Sequence, residues 1–239
     1  MIESTLSIQT GQTIKLSEQQ ILDCCVECRW DKSDPCLGGI PFHLVKYIQK
    51  YGVVASVSYG KYMAQQQDCK PSRQVVNIDD VVVLPNSAEY FLYILQAHTI
   101  TASVDSRGLK DYSSGIIKSS SCSEPLTLDH AVNIIGYGVE RGIDYWIVKN
   151  SYGTKWGEHG YFRIERGNNT CGIEQEGIYI THAFKIADPE VLYNLDDIYR
   201  DDVIPESNYI HDIIVYCLCG ITGICMLVII YLVYRHYKQ

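Results

Sequence analysis

A chain of 239 residues is long enough for one enzyme-sized unit with its own core, plus an appendage. Hydrophobic residues make up 46% and charged residues 20%, a balance that fits a globular chain. A formal net charge of -8 argues against nucleic acid as a partner, since that recognition needs a basic patch, and there is neither a phosphate-cradling glycine loop nor an internal repeat.

Residues 1–11 read as the last turns of a helix, apolar at Ile2 and Leu6 and stopped by Gly11. They have neither the basic start nor the apolar core of a signal peptide. A second helix runs from Ser17 to Leu22, where Ser17 and Gln20 fit a capping box. Pro41 opens a third, which continues to about Tyr51 and stops at Gly52. Val53 to Tyr62 and Val75 to Leu84 read as extended, Ser87 to Ala97 as a short helix and Thr99 to Asp105 as a strand.

The chain has ten cysteines, of which Cys217, Cys219 and Cys225 fall in an apolar segment near the end. The other seven are an odd number, which implies a free thiol, an intermolecular bridge or an absent partner. Around Cys24, Cys25, Cys28 and Cys36 two readings stand: a zinc site, because thiolates two residues apart can share a metal, or disulfides, the reading adopted here. Gly38 and Gly39, before Ile40 and Pro41, form either an ordinary turn or a rim that a peptide backbone can approach.

Two runs rich in Val, Ile, Tyr and Trp, Leu128 to Gly138 and Asp144 to Lys149, predict a pair of strands separated by glycine-bearing turns. His130 stands at the start of the first and Asn150 at the end of the second, so a hairpin-like return brings them together. The pairing has a chemical use. A histidine that acts as base and then acid needs one ring nitrogen free and the other held, and an Asn side-chain oxygen can hold it. Such a couple activates a thiol, since imidazolium beside thiolate lowers the cysteine pKa.

The run around His130, the Asn150-Ser151-Tyr152-Gly153 sequence and the Trp156-Gly157-Glu158-His159-Gly160-Tyr161 sequence together closely resemble the papain family of cysteine peptidases, over roughly residues 1 to 184. The resemblance implies an α+β, papain-like two-lobed fold, N-terminally incomplete. Residues 1–80 would be the remnant of the helical lobe and residues 81–186 the β-barrel lobe. It implies that His130 and Asn150 are catalytic and that Tyr152 and Trp156 shield their hydrogen bond. Tyr152 stands where the family usually has Trp. A substrate cleft is implied at Gly38, Gly39, Ile40, Pro41, Phe42 and Asp129, with Glu176 at the bottom of the S2 pocket. A carboxylate there would admit Arg as well as apolar side chains; a solvated glutamate is the alternative.

The same resemblance pairs Cys24 with Cys69 and Cys122 with Cys171, and pairs Cys36 with a cysteine in a block expected before Met1. Cys25 and Cys28 are extra, and either bridge each other or stay reduced. The family's nucleophilic cysteine and oxyanion-hole glutamine belong to that preceding block. Cys25, at a helix end with no Trp after it, is read as structural. No metal or organic cofactor is implied, and the expected partner is a peptide or protein substrate.

Asn168-Asn169-Thr170 is a glycosylation sequon. Residues 187–212 read as an acidic stalk. Residues 213–234 carry no charge and no proline, and are long enough at about 1.5 Å per residue to cross about 30 Å of hydrocarbon. Arg235, His236 and Lys238 follow, so the positive-inside rule puts the tail 235–239 in the cytosol and the globular part outside the cell or in a lysosome- or vacuole-like lumen. Luminal bridges without a signal sequence are reconciled if the sequence is N-terminally incomplete. The function expected is that of a membrane-anchored papain-like cysteine endopeptidase whose nucleophile block is missing, so that this chain alone is inactive. A catalytically inactive, peptidase-like binding protein is the first alternative, and a zinc-bound cysteine module the second.

Overall fold

The computed structural model describes residues 1–32, 34–70, 72–122 and 124–186. The expected stalk, membrane span and cytosolic tail lie outside the described residues. Among the described residues no helix is long and apolar enough to cross a membrane.

The first helix, α1 (Ile2–Thr10), buries Ile2 and Leu6 and ends at Gly11, whose N–H donates to the Ser7 carbonyl. The second, α2 (Glu18–Cys24), starts at Ser17, whose hydroxyl accepts from the Gln20 N–H. Only this half of the expected capping box forms. The Gln20 side chain turns away instead, accepting from the Val54 N–H at 2.9 Å and donating to Gln74. The buried face of α2 is polar: Gln19 accepts from the Met63 N–H and Asp23 from the Gln67 N–H, both at 2.8 Å. This helix thereby supplies acceptors for a loop that has no ladder partner of its own.

Helix α3 (Pro41–Tyr51) packs Val45, Ile48 and Tyr51 inward and stops at Gly52. Val53 to Tyr62 departs from the expected extended run. Val53 and Ala55 make isolated bridges, and Ser56–Tyr59 then winds into a single helical turn, α4. The turn carries Tyr59 into the core, where its hydroxyl accepts from the Lys70 N–H and lies 3.5 Å from Cys24 Sγ. The run from Val75 to Leu84 also divides, into β1 (Val76–Ile78) and β2 (Val81–Leu84), because the two pieces pair with different strands. Helix α5 (Ala88–Ile94) and strand β3 (Ile100–Val104) follow.

The remaining strands are β4 (Ile116–Ile117), β5 (His130–Glu140), β6 (Ile143–Lys149), β7 (Tyr161–Glu165), β8 (Gly177–Ile180) and β9 (Ala183–Lys185). Seven of the nine form one sheet in the order β2-β8-β3-β5-β6-β7-β4, antiparallel except for β4 and β7. Among the described residues β2 and β4 stand at the two ends of this order. The other two strands, β1 and β9, pair with each other.

Two apolar cores result. One gathers Leu6, Val45, Ile48, Val53, Val54 and Val76. The other surrounds Trp146, with Phe91, Ile100, Val148, Phe162 and Ile164. The first core also takes Ile178, Ile180 and Ala183 from the later chain. The reason is the β1–β9 ladder, which returns the later chain to the first lobe.

Two buried carboxylates hold the loops around the second core. Glu174 accepts from Trp146 Nε1 and from the N–H groups of Gly167 and Asn169 at 2.7–2.9 Å. Asp105, fully buried after β3, accepts from Arg107 Nε and from the N–H groups of Arg107 and Thr127. The Arg107 guanidinium holds the Asp105 carboxyl well below the usual carboxylate range, against the opposing effect of burial. A depressed folded-state value adds stability that is present above the unfolded value of about 3.9 and is lost as pH falls below it. Arg107 is half exposed, so solvent screens the pair, and replacing Asp105 by Asn is expected to cost about 1–3 kcal/mol at pH 7, the scale of losing hydrogen bonds to a charged acceptor. Urea unfolding at pH 7 and pH 2 checks this: the gap between wild type and variant must narrow in acid.

Candidate active site

His130 is the first residue of β5 and Asn150 directly follows β6. The two strands are antiparallel, with Asn133 opposite Lys149, so both residues lie at the same open end of the hairpin. His130 Nε2 donates to Asn150 Oδ1 at 2.8 Å. The same oxygen accepts from the Ser151 N–H at 2.8 Å, which fixes the orientation of the amide. A carbonyl oxygen only accepts, so the proton of neutral His130 sits on Nε2 and Nδ1 is left free to exchange one. Asn150 is only 9% exposed, and its backbone N–H donates to the Gly160 carbonyl.

The segment entering His130 is tied down twice. Asp105 accepts from the Thr127 N–H, and Asp129 accepts from both the N–H and the hydroxyl of Ser106. Asp129, expected at the cleft, is thus engaged with the turn after β3 and is not among the residues lining the cavity described below.

Tyr152 stacks on the His130 ring, with centroids 5.0 Å apart and planes at 29°. Trp156 meets Tyr152 edge-on at 5.3 Å, and itself packs on Tyr112 and Phe162. Tyr152 is 48% exposed, so the cover over the His–Asn bond is open on one side. The Trp156 loop is braced from below. Glu158 accepts from Arg163 Nε and Nη2 and from the Gly115 N–H, and Arg163 also pairs with Glu140. Arg163 accordingly lowers the Glu158 pKa. Burial pushes the Tyr112 phenol up to about 12, so it stays protonated and donates to the Gly115 carbonyl at 2.7 Å. Gly157 has φ 56°, and a Cβ there would lie 2.6 Å from the Tyr161 carbonyl oxygen and 3.2 Å from the Tyr112 ring. No other residue fits without moving the loop.

A cavity of about 80 Å³ brings Ile40, Pro41 and Phe42 against Thr101, Ala102, Ser103, Glu176 and Ile178. Ile40, Pro41, Phe42 and Glu176 are among the cleft residues that the resemblance implies; the three β3 residues and Ile178 are not. The alternation of β3 could have flagged Thr101 and Ser103, which fall on its less buried face. Ser103 also lies opposite Ala131, one step from His130. Gly38 and Gly39 adjoin this cavity in the chain and differ in what they require. A Cβ on Gly38 would meet open space, although its φ is 110°. One on Gly39 would lie 2.7 Å from the Cys28 carbonyl oxygen, so the chain itself demands glycine there.

Disulfides join Cys24 to Cys69, Cys122 to Cys171 and Cys25 to Cys28. Three of the four thiols of the zinc alternative are thereby consumed, and no group of three or more ligating side chains able to hold a metal occurs among the described residues. Cys36 is free and exposed, its thiol 3.7 Å from the Ala64 carbonyl. Asn168 is exposed and donates to Glu165, whereas Thr170 of the same sequon is buried.

Residues 1–181 match the sequence pattern of the family described as papain family cysteine protease. Pro-cathepsin H of Bos taurus is 38% identical over 179 residues, which is 72% of this chain and 52% of the relative. Cysteine proteinase 3 of Solanum lycopersicum is 35% identical over 178 residues, 72% of this chain and 49% of the relative. Among solved structures, the bromelain protease from Ananas comosus in complex with the E64 inhibitor superposes with a TM-score of 0.65 at 34% identity, covering 76% of this chain and 84% of that one. The chain spans about half the length of these curated relatives. With its sequence and its fold matched over the same region, the chain belongs to the papain family of cysteine proteases.

Proposed function

We propose that this chain contributes the proton-handling half and the substrate cleft of a membrane-anchored cysteine-type endopeptidase. His130 exchanges the proton at Nδ1, Asn150 orients the ring, and Tyr152 and Trp156 keep water from the bond between them. The observation that carries this reading is the 2.8 Å hydrogen bond between His130 Nε2 and Asn150 Oδ1 beneath a stacked tyrosine. The thiolate comes from outside the described residues. Six of the seven described cysteines are in bridges, and the seventh, Cys36, directs its thiol to Ala64. In turnover the thiolate attacks a peptide carbonyl carbon, His130 delivers its proton to the leaving amine, and water then releases the acyl group. Residues 213–234 hold the protein in the membrane, with the globular part in an extracellular or luminal compartment; a charge-free apolar run followed by Arg235, His236 and Lys238 supports this.

The cysteine inventory also favours a second reading, a cleft that binds peptides without turnover. Hydrolysis of a peptide reporter separates the two. The 239-residue chain alone is expected to give no turnover above background, since losing the nucleophile of a comparable triad costs on the order of 10⁶ in kcat. Thiol-alkylation-sensitive hydrolysis by that chain would overturn this expectation. In the full-length enzyme, His130→Ala is expected to lower kcat by roughly 10⁴ and Asn150→Ala by about 10²-fold, with KM little changed. Unchanged kcat in either variant would remove that residue from the mechanism.

Glu176 borders the cavity formed by Ile40, Pro41 and Phe42, and this supports a pocket that accepts Arg as well as apolar side chains. Glu176→Gln is expected to lower kcat/KM for Arg-bearing substrates by about threefold, the scale of one exposed ion pair, and to leave Phe-bearing ones nearly unchanged. Equal effects on both substrates would mark Glu176 as a solvated residue.

A further inference from the structure

The Cys25–Cys28 bridge lies outside the proton-handling machinery, yet the segment that it begins is hydrogen-bonded to the adjoining cleft rim at Gly38, Ile40 and His43. Both cysteines are buried, and the Cys25 N–H donates to the Ile21 carbonyl, which fastens the bridge to the end of α2. From that anchor the Cys28 carbonyl accepts from the Ile40 N–H at 2.8 Å. Arg29 forms an isolated antiparallel bridge with Gly39, and the Trp30 N–H donates to the Gly38 carbonyl at 3.1 Å. The Glu27 carbonyl lies 3.0 Å from His43 Nδ1, on the first turn of α3. Residues 27–30 therefore hold residues 38–43 through three hydrogen bonds, at Gly38, Ile40 and His43, two of which make up the Arg29–Gly39 bridge. Ile40, which is held directly, and Pro41 and Phe42, which lie between it and the held His43, form one wall of the cavity whose opposite wall carries Glu176. The Cys28 carbonyl is also the atom that a side chain at position 39 would strike.

We propose that the Cys25–Cys28 bridge sets substrate selectivity, with Cys25, Cys28 and Gly39 acting as positioning residues that fix the spacing between the Ile40–Phe42 wall and Glu176. The small loop the bridge closes cannot swing away from α2, so the Cys28 carbonyl becomes a fixed stop for the rim. In a cavity of about 80 Å³ a shift of the wall by a few tenths of an ångström changes which side chain fits. Loss of the bridge frees the wall to retreat, which favours the larger occupant and weakens the grip on the smaller one.

This inference rests on the pocket reading of the preceding section but not on turnover, so its test uses binding. Two peptide amides that differ only in Arg or Phe at the pocket position are titrated calorimetrically against the 239-residue chain and two variants. One is the Cys25→Ser/Cys28→Ser pair. The other is Gly39→Ala, which keeps the bridge and presses on the Cys28 carbonyl. Each variant is expected to change the ratio of the two dissociation constants by fivefold or more, with the far-ultraviolet dichroism of wild type. A ratio unchanged in Gly39→Ala overturns the proposal even if the cysteine pair fails to fold, and so does an equal loss for both peptides. Failure of wild type to bind either peptide overturns the pocket reading and this proposal together. Failure of the catalytic reading shows itself separately, as full-length enzyme that binds both peptides and cleaves neither.

Discussion

The hydrogen bond between His130 and Asn150 is set by strand register more than by either residue. Both sit at one end of the β5–β6 hairpin, and the side-chain period of a strand is two. A slip of one residue would turn the two groups to opposite faces. What forbids the slip is apolar burial. Val132 and Ile134 on β5, and Trp146 and Val148 on β6, are all buried, and a shifted register would expose them. Fully burying one such side chain is worth roughly 1.5–3 kcal/mol, so four together outweigh any local preference at the ends. The geometry available for moving a proton is in this sense a product of the second core.

Around that hairpin the polypeptide runs through long segments without ladder partners, and buried polar side chains supply what the ladders do not. Asp23 serves the loop after α4, Asp105 the approach to His130, and Glu174 the turn after β7. Each accepts at least one backbone N–H from a segment outside the ladders. For Glu174 and Asp105 the cost of burying a carboxylate is offset because each accepts several donors, and Asp105 has a guanidinium as well. One of these brackets bears on the site directly, since Asp105, together with the exposed Asp129, pins residues 127–130 against the turn after β3.

Local patterns made the hairpin, α1 and α3 legible, since a helix stop, a proline start or alternating β-branched residues each act within a few positions. Gln20 shows where that reading ends. Its spacing from Ser17 suits a capping box, but a more distant N–H on Val54 claims its side chain. The turn at Ser56–Tyr59 arises in the same way: its composition favours extension, and the burial of Tyr59 overrides it. The strand order of the large sheet was not legible either, because β2 meets β8 across nearly a hundred residues. Within the site, His130 and Asn150 were legible because motif and hairpin coincide. Asp105 and Ser103 were not, since a single acidic residue or serine carries no signature until tertiary packing assigns it a neighbour.

The pairing of β1 with β9 has a consequence for how the molecule is made. Strand β9 is the last element described, yet Ile178, Ile180 and Ala183 complete the apolar interior laid down by α1 and α3. As the polypeptide leaves the ribosome, that interior stays unfilled until almost the whole globular region has emerged. The lobe translated first is thus finished last, and the nascent chain must keep its unfinished hydrophobic surface from other molecules until its own distant end arrives.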